Sequence, residues 1–567
     1  MSAPKRVGAK RARRQKAGSP ALQPRWDGPA GVGPRERVSE AHTASPTGRA
    51  AFLVAVGILC SRLAGLVRLR VFAYYFGLQS DAADAFNAAF RIPNFLQNLF
   101  GEGALSASFI PVYAALIARG ERRAADRVAG AVASLLALAV AVLVVAGIAA
   151  TPILIAVIAP GFTGAKRELT VEVVRILFPG AGLLVLSAWC LGVLNSHHRF
   201  LLSYAAPVMW NAAMIATLIA FGARSPLPRM AVLLAWGSVA GSALQFAVQV
   251  PVVWRVAPDL RFALDIASEH LRIVSRNFIP VFISRGVVQV SAYIDALLAS
   301  LLPTGAVTGL SNAQLLYTLP VSLFGMSVAA AELPVMSEVA ELDGTATEAL
   351  RRRLDSGLRQ IAFFVVPSAM AFLGLGDVVA AALLETGRFR HTDAVYVRSI
   401  LAGSAVGLLA STLGRLYSST YYALRETRTP LGYALVRVAL TTVLGYIFAI
   451  PLPRWLGISS VWGAAGLTMS AGIAGWFEML LLRHTLNRRI GRTGLPADYV
   501  AKLWASAIAG GAVAWMVKLA IPMLHPVIVA ILVLTPYGLV FFAVTFAFRI
   551  PEASVALRRV VRRSRSR

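Results

Sequence analysis

The chain has 567 residues, 57% of them hydrophobic and 14% charged, with 55 Lys and Arg against 27 Asp and Glu and a net charge of +28. That balance is too apolar for a soluble protein of this length and describes a polytopic membrane protein. A nucleic-acid partner is not expected, because basic residues of membrane proteins collect in cytoplasmic loops and tails, and the 2 cysteines, Cys60 and Cys190, lie in apolar stretches and support neither a disulfide framework nor a thiolate metal site.

Residues 1–49 are rich in Pro, Gly and Ser and include the run KRVGAKRARRQK, which predicts a disordered basic cytoplasmic tail. The apolar run starts only near Ala50, too far from the charged start for a signal peptide, so the first span is read as uncleaved. At about 20 apolar residues per crossing helix, fourteen spans follow. They lie near 51–77, 86–117, 128–153, 170–196, 202–222, 230–254, 277–302, 306–338, 356–384, 394–423, 430–452, 459–482, 500–522 and 526–548. With the N-terminus inside, twenty Lys and Arg fall in inner loops, from Arg119 to Lys502, against eight in outer loops, from Lys166 to Lys518. This excess puts both termini in the cytoplasm.

Comparison of the chain with itself uncovers an internal repeat. Ser61-Arg62 recurs as Ser284-Arg285, Leu99-Phe100-Gly101 as Leu323-Phe324-Gly325, Pro111-Val112 as Pro334-Val335, Leu191-Gly192 as Leu413-Gly414 and Pro207 as Pro430, all 222 to 224 residues apart. The chain therefore divides into a six-helix lobe at 50–256, a cytoplasmic linker at 257–276, a second six-helix lobe at 277–486, two additional spans at 487–549 and a basic cytoplasmic tail at 550–567. Six spans per copy give both lobes the same topology, so they are related by an axis along the membrane normal, and a cavity between them suits alternating access. Pro93, Gly101, Gly103, Pro320 and Gly325 either supply bending points within the spans or serve ordinary helix packing.

A charge within the bilayer costs about 2.5–3.5 kcal/mol on insertion scales and normally faces a polar cavity. Arg62 and Arg68 are six residues, hence about 120°, apart around a helix. They could line one broad wall and fork onto phosphate, or else snorkel or pair with an acid such as Asp84. Arg70 falls on a different face. Asp84, at the start of the second span, reads as helix cap or functional acid. Arg91, two turns deeper beside Pro93 and Asn94, reads as substrate contact or as half of an ion pair. In the second lobe Arg285 holds the repeat position of Arg62 and could face it across the cavity. Asp295 and Glu332 are candidates for taking up a coupling cation, with pairing to a nearby arginine as the alternative.

No enzymatic signature is present: GxxxxGKS/T, HExxH and GxSxG are missing, and the 7 histidines have no metal spacing. No cofactor is expected, and energy would come from a Na+ or H+ gradient, the membrane potential or a partner.

The segments SRLAGLVR (61–68), DAFNAAFRIPN (84–94) and LFGEGALSASFIPVY (99–113) resemble the signature of the MurJ (MviN) lipid II flippase family, within the multidrug/oligosaccharidyl-lipid/polysaccharide exporter superfamily. Fourteen spans in two lobes plus a terminal pair agree with it over about residues 50–550. The resemblance implies an inner-membrane protein that moves an undecaprenyl-diphosphate-linked peptidoglycan precursor from the inner to the outer leaflet by alternating access. It implies essential roles for Arg62, Arg68 and Asp84, places Pro93 and Glu102 in the signature helix, and assigns the lipid tail to a groove on the last two helices. Its implied partners are the precursor, membrane lipids and proteins of cell-wall synthesis or division. The chain departs from the family pattern at Gln97 and Leu315, where many members carry arginine, and the expectation is that Arg91 and Arg285 restore the lost cavity charge. Two other readings remain: an exporter of the same superfamily acting on another polyprenyl-linked glycan or another substrate, and a scaffold that binds precursor without transporting it.

Overall fold

The backbone has no water to bond with in a bilayer core, so a spanning segment must satisfy its own N–H and C=O groups, and the α-helix does so within one segment. In the computed structural model the described residues are 46–100, 104–105, 108–263, 269–340, 346–522 and 524–554, and they are almost entirely helical. The basic runs of both tails and Glu102 lie outside the described residues. Residues 49–567 cluster as one unit.

The first lobe comprises α1 (Pro46–Phe76), α2 (Asp81–Phe100), α3 (Ile110–Ala118), α4 (Arg122–Ile158), α5 (Gly164–Ser196), α6 (Phe200–Phe221) and α7 (Leu227–Val256). The second comprises α8 (Glu269–Ser300), α9 (Ala306–Pro320), the π-helical stretch Val321–Met326, α10 (Ser327–Ala340), α11 (Ala346–Leu384), α12 (His391–Ala423), α13 (Arg428–Ala449) and α14 (Gly463–Ile490). The terminal pair is α15 (Ala497–Ala520) and α16 (Pro526–Ala547). Among the described residues 11 helical segments are long and apolar enough to cross a membrane. Adding α1, α2 with α3, and α8 gives a number consistent with the fourteen expected.

Several boundaries differ from the expected ones. The second span begins at Asp81 rather than near 86, because the Ser80 hydroxyl accepts from the Ala83 N–H at 3.2 Å and starts the helix early. In the same span α3 begins at Ile110, with Pro111 in its first turn, where a missing N–H costs nothing. In the second lobe the chain turns π-helical directly after Pro320, whose ring and lack of an N–H break the regular ladder.

Each lobe packs on its own set of helices, α5 against α2, α4 and α7, and α12 against α11 and α14, while the terminal pair rests on α11. Lipid is as apolar as leucine, so helix association in a membrane relies on close backbone approach and buried polar contacts. In the first lobe, Gln245 Nε2 donates to Ser187 Oγ at 2.9 Å, and that hydroxyl donates to Gln249 Oε1 at 3.0 Å, joining α7 to α5. In the second lobe, α12 and α14 touch at a pair of glycines, where a methyl on Gly407 would lie 2.3 Å from Gly472 Cα. Gly407→Ala is therefore expected to force the helices apart and cost about 1–3 kcal/mol, read as a lower melting temperature in detergent; an unchanged melting temperature would contradict this packing. On the lipid side, Val145, Ile153, Leu519 and Leu539 are 66% to 73% exposed.

Candidate substrate cavity

Positions three and four apart share a helix face, and two arginine-bearing helices use that spacing to build a wall. α1 contributes Ile58, Ser61, Arg62, Gly65, Arg68 and Leu69, and α2 contributes Asn87, Phe90, Arg91, Asn94, Phe95 and Asn98, to a cavity of about 790 Å³. Its other walls are Ser203, Tyr204 and Pro207 of α6, Tyr293 of α8, and Ser311, Asn312, Gln314, Leu315, Thr318 and Leu319 of α9. The cavity thus lies between the lobes. Its described lining holds three arginines, several amides and hydroxyls, and no carboxylate.

Arg68 is the most exposed in chemical terms, though not to solvent. Its guanidinium stands 4.9 Å from the Phe90 ring and 5.6 Å from the Trp210 ring, and those rings stack nearly parallel at 5.3 Å. Among the described residues its Nη1 reaches only the Met214 sulfur, at 3.7 Å, and its buried Nε has no hydrogen-bond partner. Among the described residues neither Arg62 nor Arg68 forms an ion pair. Cation–π contact holds a desolvated guanidinium in place, but it leaves the N–H fork available for an anion.

Arg91 joins the lobes. Its Nη2 donates to Ser311 Oγ at 3.3 Å, and its carbonyl accepts from the Tyr293 hydroxyl at 2.9 Å. Asp295, two residues beyond Tyr293, faces the charges of Arg91 and Arg437, and its Oδ1 has no hydrogen-bond partner among the described residues. Glu332 lies elsewhere, 4.0 Å from Arg353. Leu315 lines the cavity, whereas Gln97 is absent from the described lining. The side chains of Pro93 and Arg285 lie outside the described residues.

Asp84 is buried and caps a helix of the other lobe rather than its own. Its Oδ1 accepts from the Thr308 N–H at 2.9 Å and the Thr308 hydroxyl at 2.7 Å; its Oδ2 accepts from the Gly305 N–H at 2.9 Å and from Lys166 Nζ at 2.8 Å. Gly305 is the N-cap of α9 and has no side chain to do this, so a carboxylate from α2 meets the orphan donors and positive end of α9. Asp81 reinforces the clasp, accepting from Thr304 at 2.8 Å and pairing with Lys166 at 3.1 Å.

These contacts run down the α2–α9 seam as Asp81–Thr304, Asp84–Gly305, Asp84–Thr308, Asn87–Thr308 and Arg91–Ser311, with separations between 220 and 224. Near-equivalent residues of the repeat meet, as they must where equivalent helices flank a two-fold axis. Sequence reasoning missed Lys166, Thr304, Thr308, Ser311 and Tyr293; the repeat offset was the signal that could have found the α9 partners.

Known proteins are similar to this chain in sequence and in fold. A family model described as Lipid II flippase MurJ matches residues 72–541. A lipid II flippase MurJ of Burkholderia cenocepacia is 33% identical over 447 residues, spanning 78% of this chain and 84% of that protein. A probable lipid II flippase MurJ of Rhizobium meliloti is 32% identical over 531 residues, spanning 90% and 95%. The fold is that of a solved lipid II flippase MurJ in an inward closed conformation, with a TM-score of 0.72 and 23% identity over 88% of this chain and 98% of that one. A multidrug resistance MATE family transporter of the MOP superfamily, solved facing inward, shares it at a TM-score of 0.61 and 16% identity over 77% and 98%.

Proposed function

We propose, because this chain belongs to the lipid II flippase MurJ family, that it moves lipid II from the inner to the outer leaflet of the bacterial plasma membrane by alternating access, for cell-wall synthesis. The observation that carries this reading is the cavity wall of Arg62, Arg68 and Arg91, with no carboxylate among the described lining residues. A diphosphate offers two charged groups to guanidinium forks, which bind phosphate bidentately and stay charged at any physiological pH. An exporter of cationic drugs needs the opposite polarity, which disfavours that rival.

With the N-terminus in the cytoplasm, the end where α1 finishes and α2 begins is the outer face. The Asp84 clasp then closes the outer side over the cavity, the state that takes up substrate from the inner leaflet. Arg62, Arg68 and Arg91 hold the diphosphate, and opening of the Asp84 clasp releases it outward. Lys166 and the α9 amides compete for Asp84 with no anion of their own, so the clasp can reform when the substrate has left. Charge compensation during the cycle falls to Asp295, through Na+ or H+ uptake, or to the membrane potential, with Glu332 as the second candidate.

Complementation tests the reading. Cells depleted of their own lipid II flippase are expected to grow on this chain, and failure to grow at normal expression would contradict it. In the same assay Arg285→Ala is expected to reduce growth if Arg285 makes up cavity charge for Leu315; growth equal to the parent would remove Arg285 from the substrate set.

A further inference from the structure

α11 is broken near its outer end. Leu375 has φ −122° and ψ 17°, outside the helical range, between Gly374 and Gly376, so the run 376–384 is a short segment set off from the rest of the helix. Glycines on both sides lower the cost of bending there. Three parts of the molecule grip this segment and its surroundings. At its carbonyl end Arg70 of α1 donates through Nη1 to the Ala382 oxygen at 2.8 Å and the Leu383 oxygen at 3.1 Å. These are orphan carbonyls of a helix C-terminus, where a cation is favoured by both hydrogen bonding and the dipole. Beside them the Tyr74 carbonyl accepts from the Arg388 N–H at 2.9 Å, a second tie between α1 and the turn after α11. At its base, buried Asp377 pairs with Lys518 of α15 and lies 4.0 Å from Arg398 of α12. Both cations stack on Trp515, at 4.6 and 5.4 Å. On the other side of the break the Tyr537 hydroxyl of α16 donates to the Pro367 carbonyl at 2.6 Å. The terminal pair therefore holds α11 on both sides of Leu375, and the first lobe's hydrogen bonds among the described residues fall on the outer side.

We propose that residues 376–384 form a hinged strut, gripped by Arg70 and Lys518, through which opening between the lobes at the outer face is transmitted to the terminal helix pair. Arg70 is a positioning residue in this device and does not touch substrate. Separation of the lobes pulls the α11 end through Arg70, the segment turns about Leu375, and Lys518 carries α15 with it while Tyr537 stays with the unbent part. Disorder of the strut would leave substrate binding intact and uncouple it from transport.

Hydrogen exchange on the full chain in nanodiscs tests the strut, and vesicle assays test its coupling, the second of which rests on the lipid II reading. Arg70→Ala and Lys518→Met are each expected to speed exchange of amides 376–384 by roughly tenfold, as expected for local opening, with 346–366 unchanged. Arg70→Lys, which can still donate to the carbonyls, is expected to restore protection. Both disruptive variants are expected to bind lipid II in vesicles like the parent and flip it at least about tenfold more slowly. Exchange that is unchanged, or raised evenly along α11, would overturn the hinge, and parental flipping rates in both variants would overturn the coupling. A parent that flips no lipid II would refute the lipid II reading, and exchange alone would then decide the strut.

Discussion

Asp84→Ala is expected to abolish growth support and to leave the outer side open. The carboxylate accepts four hydrogen bonds, two from backbone amides of the facing helix. Its removal leaves those donors buried, and Lys166, whose side chain is only 13% exposed, loses its buried carboxylate and keeps Asp81, the Thr304 hydroxyl and the Phe162 ring. Breaking a buried charged cluster by deleting one partner costs about 3–5 kcal/mol. At about 1.4 kcal/mol per tenfold, the outward-closed state loses a factor of roughly one hundred to a few thousand. Asp84→Asn is not expected to rescue, since its amide would turn two hydrogens toward donors. An impermeant thiol reagent applied from outside, on a Cys60→Ser, Cys190→Ala background carrying Leu315→Cys, reads the change. Labelling is expected in Asp84→Ala and not in the parent, and equal labelling of both would contradict the clasp.

Arg68→Met is expected to separate stability from function. Among the described residues the guanidinium is buried without an acid, and its only polar contact is a sulfur. Burying a charge so poorly satisfied is unfavourable, and cation–π contact with Phe90 and Trp210 returns on the order of 2 kcal/mol. A methionine of similar length fits between the same rings, with its own favourable sulfur–aromatic contacts. The variant should therefore melt at or above the parental temperature while losing lipid II transport, since an essential charge held at a cost to stability is a signature of function. Arg68→Lys should recover only part of the transport, because a point charge cannot form the bidentate fork. A destabilised Arg68→Met, or one that transports normally, would show that the arginine serves the fold.

The helices and the family were legible in the sequence because hydropathy and a repeat of fixed offset are long-range patterns that survive uncertainty at any one residue. Arg62, Arg68 and Arg91 were legible as cavity candidates because a charge in an apolar helix has few other places to go, and all three line the wall. Asp84 was read as either cap or functional acid, and it is a cap, but of α9 in the opposite lobe. Its partners Gly305 and Thr308 offer backbone amides, which every sequence supplies, so composition gave no hint of them. Helical spacing places Arg70 on a different face from Arg62 and Arg68, but its acceptors, carbonyl oxygens at the end of α11, leave no mark in the sequence. By sequence Lys166 is one more outer-loop charge, yet it closes the clasp between the lobes. The break at Leu375 depends on how α11 meets α12 and the terminal pair, and the flanking glycines alone do not specify it.

The most direct measurement of the central claim is lipid II flipping in reconstituted vesicles, with parent and Arg68→Met compared at equal folded protein. Transfer of lipid II between leaflets by the parent, and loss of that transfer in Arg68→Met with the fold intact, is the predicted result. Binding of lipid II by the parent without any transfer would instead identify a scaffold, and equal transfer by both proteins would remove the arginine wall from the mechanism.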